Sequence, residues 1–80
     1  MEHELKIYPQ YFDAIISGKK TFEVRKNDRK FHVGDVLVLK EWDNINYSGR
    51  TVRANVTYMI DDKFVGISPG YVVMGIVLEN

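Results

Sequence analysis

The chain has 80 residues, of which 45% are hydrophobic, eleven basic, eleven acidic and none cysteine. That implies one domain near the lower size limit for a self-sufficient core; it excludes disulfides and thiolate metal sites and makes a reducing cytoplasm the natural setting. Zero net charge argues against a sequence-blind binder of duplex DNA, which would be basic overall.

No apolar run approaches the ~18–20 residues that span a bilayer, so no membrane association is expected. Met1-Glu2-His3-Glu4 lacks the basic and then apolar stretch of a signal peptide. Glu4 to Ile7 alternates as a strand does. Pro9 suits the first turn of a helix, where its missing N–H costs nothing. Phe12, Ile15 and Ile16 then make one apolar stripe, and Gly18 is the stop. The spacing predicts two to three helical turns.

Thr21 to Lys26 reads as a strand. Alternation puts Thr21, Glu23 and Arg25 on one face and Phe22 and Val24 on the other, where the apolar pair is expected to anchor the core. Asn27 to Lys30 has turn chemistry. Gly34-Asp35 opens Val36 to Trp42, apolar on both faces at its start and therefore central. Asp43 to Gly49 reads as a loop. In Thr51 to Ile60, the residues Val52, Ala54, Val56, Tyr58 and Ile60 alternate inward. Asp61 to Gly70 is an irregular connection, and Tyr71 to Leu78 closes the fold; Tyr58 and Tyr71 are assigned to the core. Short strands with one or two short helices predict a mainly β, α+β domain, a small barrel rather than a sandwich, spanning residues 1–80.

Charge is uneven along the chain. Lys19, Lys20, Arg25, Lys26, Arg29 and Lys30 fall within twelve positions, against only Glu23 and Asp28. A local basic patch on a neutral protein suits a small anionic partner or one end of an RNA. Glu23 beside Arg25 is worth only ~0–1 kcal/mol if it is an exposed ion pair. Lining a cleft, Arg25 offers a planar fork for phosphate or a base edge, and Glu23 an acceptor for an exocyclic amine. Trp42, the single tryptophan, is either a core residue or a platform for an unpaired base; Tyr47 and Tyr11 offer the same surface. His3 and His32 lack a partner at ligand spacing, so neither a metal site nor a cofactor is expected.

Gly18, Lys20, Glu23 and Arg25 together spell Gly-x-Lys-x-x-Glu-x-Arg. This resembles the signature of the ASCH domain, a branch of the PUA-like β-barrels. His3 to Ile7, the helix Tyr11 to Gly18 and the turn Val33-Gly34-Asp35 are similar to that family as well. The resemblance implies a PUA-like barrel acting as an RNA- or nucleotide-binding module, monomeric, with Lys20, Glu23, Arg25, Trp42 and Tyr47 at a cleft beside the motif strand. It also implies an alternative, since some small members are metal-independent amidohydrolases acting on N-acylated nucleosides such as N4-acetylcytidine. In that reading Lys20, in its uncharged form, is the base, Thr21 is the nearest hydroxyl and Glu23 the carboxylate. Those relatives carry threonine at the position of Glu23, and their further carboxylate has only Asp61 and Asp62 as candidates here. Binding therefore leads.

Overall fold

The computed structural model describes residues 1–79. Five strands and one helix run in the order β1 (Glu2–Ile7), α1 (Pro9–Ile16), β2 (Phe22–Lys26), β3 (Val36–Trp42), β4 (Tyr47–Ile60) and β5 (Tyr71–Leu78). They form one curled sheet, a half-barrel of order β1-β3-β4-β5-β2. β3, β4 and β5 make an antiparallel meander. β1 joins β3 in parallel, and β2 joins β5 antiparallel. The fold is thus mainly β with one short helix, as expected. Among the described residues no helix is long and apolar enough to cross a membrane.

The concave face holds the core. Leu5 and Ile7 of β1, Leu37 and Leu39 of β3, Ala54 and Val56 of β4, and Val72, Met74 and Ile76 of β5 are buried there at alternating positions. α1 plugs the half-barrel with Phe12 and Ile15. Ile16 lies off this stripe and is exposed, because a residue adjacent to Ile15 is turned about 100° around the helix. Phe31, in the connection before β3, completes the core and meets His3 edge to face at 4.7 Å.

Further sequence expectations are corrected. The faces of β2 are reversed: Phe22 and Val24 are 45% and 51% exposed, whereas Glu23 is 3% exposed. β2 is an edge strand whose inward face looks onto the mouth of the half-barrel, so the core tolerates a carboxylate there only because cations meet it. β4 begins at Tyr47, so the loop shrinks to Asp43–Asn46, held by two backbone N–H bonds to the Asp43 carboxylate. Finally, a register shift between Val56 and Tyr58 places an extra residue in β4 against β5. Such a bulge reverses the phase of everything beyond it. Tyr58 therefore turns outward, 69% exposed, and Met59 packs on the core in its place. Tyr71 is likewise exposed rather than core.

Candidate functional site in the seam between the two outer strands

β1 and β2 are the two ends of the sheet and share no backbone ladder. Side chains cross the gap instead. Arg25 Nη2 donates to the Lys6 carbonyl at 2.7 Å, and Arg29 Nη1 donates to the Glu4 carbonyl. Both acceptors lie on β1, whose outer edge would otherwise leave those groups without a protein partner. The two arginines come from β2 and from the turn after it.

The motif is assembled by the chain reversal between α1 and β2. Gly18 adopts φ +81°, the left-handed conformation that ends a helix cheaply. The N–H groups of Lys19 and Lys20 then both donate to the Ala14 carbonyl at 2.9 Å. This folds Lys20 back beside β2. Its Nζ donates to Glu23 Oε1 at 2.5 Å and to the Phe22 carbonyl at 2.7 Å. Arg25 Nε donates to Glu23 Oε2 at 2.9 Å. Glu23 thus stands buried between two cations, each on its own carboxylate oxygen. Arg25 is therefore not the lightly held surface guanidinium that an exposed pair would make it: one side chain ties a buried carboxylate to the opposite strand.

Above this triad lies an open cavity of about 490 Å³ lined by Lys6, Ile7, Tyr8, Tyr11, Lys20, Glu23, Val24, Arg25, Lys26 and Tyr71. The two strands supply its walls, the start of α1 its roof and the first residue of β5 its floor. A second cavity, about 500 Å³, continues along the seam, bounded by Glu4, Lys6, Arg25, Arg29, Lys40 and Tyr47. Lys6 and Arg25 belong to both. Together these two adjoining cavities, the seam groove, carry six cations, two carboxylates and four tyrosines on a protein of zero net charge.

Lys20, Glu23 and Arg25 meet in the first cavity, and Tyr47 borders the second. Trp42 lines neither; it is half-buried behind the groove, stacked on Tyr8 at 5.9 Å with Lys6 Nζ 4.6 Å from its ring centre. Its place supports a wall residue. Thr21 is separated from Glu23, the carboxylate of the hydrolase reading: it lines a different depression, with Ile15, Ile16 and Ile76, which Lys20 also borders and Glu23 does not. Asp61 lines neither cavity of the groove; it borders another hollow, beside Phe64. Sequence reasoning missed Lys6, Tyr8 and Lys40, which reach the groove from β1, its exit and β3. No local signal marks them, because their proximity comes from the parallel pairing of β1 with β3, more than thirty residues apart.

Two further buried polar clusters brace the frame. His3 Nε2 pairs with Asp35 Oδ2 at 2.8 Å, and the same oxygen accepts the His32 N–H. These bonds, the His3 contact first, hold the Asp35 carboxyl below its usual range. Glu41 accepts from Arg50 at 2.8 and 2.9 Å and from Ser48 at 2.6 Å. Arg50, followed by Ser48, lowers the Glu41 carboxyl to about 2. Among the described residues, no group of three or more His, Cys, Asp or Glu side chains is placed to hold a metal ion.

A model of the family described as "Domain of unknown function (DUF3850)" matches residues 2–76. An uncharacterized 12.9 kDa protein in the GpA 3′ region of Escherichia phage P2 is 44% identical over 59 residues, which are 74% of this chain and 54% of that protein. The chain therefore spans about half the length of the curated relative it matches. The crystal structure of hypothetical protein PH0355 is similar over 99% of this chain and 100% of that one, with TM-score 0.68 and 17% identity. At that identity the likeness is one of fold.

Proposed function

We propose a ligand class for this chain, which belongs to the family described as a domain of unknown function (DUF3850): it is an RNA- or nucleotide-binding module of the ASCH, PUA-like type, with the ligand in the seam groove. The observation that carries this reading is the groove's composition, six cations and four tyrosines on a neutral chain. Cations in a concave site attract phosphate, and aromatic faces accept unstacked bases. The ASCH-like signature supports it, since Lys20, Glu23 and Arg25 all reach this groove.

The geometry changes one role. Both Glu23 oxygens are taken by Lys20 and Arg25, so Glu23 serves to position the two cations rather than to read a base edge. The amidohydrolase reading has less support, because Thr21, its hydroxyl, shares a depression with Lys20 but not with the carboxylate Glu23.

The test is titration of single-stranded RNA at several salt concentrations. Lys26 lines the cavity, is exposed and makes no ion pair among those described. Lys26→Ala should leave the fold intact and reduce the slope of log affinity against log salt by about 0.7, the value for one phosphate contact on a single strand. RNA and nucleotides that fail to bind at low salt would refute the proposal.

A further inference from the structure

The two halves of the groove differ in chemistry. The first cavity offers Tyr8, Tyr11 and Tyr71 with Ile7 and Val24, surfaces for a planar base. The second offers four cations, one carboxylate and one tyrosine. Within it, Arg25 is paired with Glu23, and Lys40 lies 3.4 Å from Glu4. Lys6 and Arg29 form no ion pair among the described residues. Arg29 is held in place by a neutral backbone carbonyl, which fixes its guanidinium without cancelling its charge, and four of its five N–H donors remain for a ligand.

Resting on the nucleotide-binding reading above, we infer that the second cavity is a subsite for a terminal phosphomonoester attached to the base held in the first. Two uncompensated cations match a group carrying about −1.5 to −2 at neutral pH better than an internal phosphodiester carrying a single charge. Lys6 and Arg25 form the wall common to both cavities, so base and phosphate of one nucleotide span them. The shared chemistry is a nucleobase with a terminal phosphate, whether a free nucleotide or the end of an RNA strand.

The experiment compares short single-stranded RNAs bearing a 5′-phosphate, a 3′-phosphate or hydroxyls at both ends, by fluorescence anisotropy with the label at the opposite end. A phosphorylated end should bind about tenfold more tightly or better, as charge-assisted bonds to guanidinium groups allow. Arg29→Gln and, independently, Lys6→Gln should shrink that ratio toward one. Tyr11→Ala should weaken phosphorylated and unphosphorylated strands alike. The groups facing the subsite are Glu4 and Lys6 from β1, Arg25 from β2, Arg29 from the turn, Lys40 from β3 and Tyr47 from β4. None is a histidine, so loss of the phosphate advantage as pH falls through about 6 reports the ligand's own second ionisation. Competition by nucleoside monophosphates, but not by nucleosides, identifies the free nucleotide as the source; competition only by phosphorylated strands identifies the strand end. Either outcome supports the inference. Equal affinity for phosphorylated and hydroxyl-ended RNA overturns it and leaves RNA binding standing. No binding of any RNA or nucleotide overturns both.

Discussion

Replacing Glu23 by glutamine keeps the shape of the side chain and removes its charge. The carboxylate side chain is 5% exposed, Lys20 17% and Arg25 28%. Hydrogen bonds to charged groups contribute about 1.5–3 kcal/mol each, and two are at stake. Glutamine retains one oxygen, enough for one cation, and turns an NH2 group toward the other. Loss of one partner from a buried pair costs about 3–5 kcal/mol. The partial exposure of both cations lowers that through solvent screening. The expected destabilisation is about 2–3 kcal/mol, or roughly 10–20 °C in Tm for a domain of this size. Urea unfolding followed by Trp42 fluorescence and by circular dichroism measures it, and Trp42 reports close to the site because it stacks on Tyr8. Adding Arg25→Met to Glu23→Gln should cost less than the sum of the two single changes, since they share a contact. A Glu23→Gln protein within 0.5 kcal/mol of the parent would refute the claim that this carboxylate is the keystone of the seam.

Stability should also depend on pH through Glu41, whose folded carboxyl is lowered to about 2 from 4.5. A depressed carboxylate contributes stability above the unfolded value and loses it as pH falls, here between 4.5 and about 2, and Glu41→Gln should flatten chemical-denaturation curves across that window. Tyr58→Thr should change stability by no more than about 0.5 kcal/mol, as for other exposed sites; a loss above 1 kcal/mol would contradict the outward turn at the bulge. Purified protein incubated with N4-acetylcytidine should release no acetate above background, and turnover abolished by Lys20→Ala would restore the hydrolase reading.

The strands of the meander were legible because β-branched and aliphatic residues recur with period two between turn residues, and Gly18 and Pro9 bracket the helix as capping chemistry requires. The reversed face of β2 was not legible. Alternation separates Phe22 and Val24 from Glu23 and Arg25, but it does not say which set faces inward when Lys20 and Arg25 can satisfy a buried carboxylate between them. The bulge before Tyr58 left no mark within β4 either: one unpaired residue, Thr57, inverts the pattern, and the glycine that accompanies it, Gly75, stands on the partner strand. For the site, the motif located the triad of Lys20, Glu23 and Arg25, since all lie within six positions. Tyr8, Lys6 and Lys40 depended on long-range pairing, which local spacing cannot express.

The guanidinium crossings of the seam have a consequence for how the domain opens. β1 and β2 each hang from the meander by a single ladder, and their outer edges are joined by the two arginine–carbonyl bonds. The lowest-energy excursion of the domain is therefore a swing of these flanks, not a dissolution of the sheet. Amide exchange should be graded accordingly, slowest in β3, β4 and the middle of β5 and faster in β1 and β2. A ligand seated in the groove touches both flanks at once and acts as a staple. Its arrival would register as slowed exchange in two strands that lie at opposite ends of the sheet, a correlated signature that attachment elsewhere on the surface would not produce.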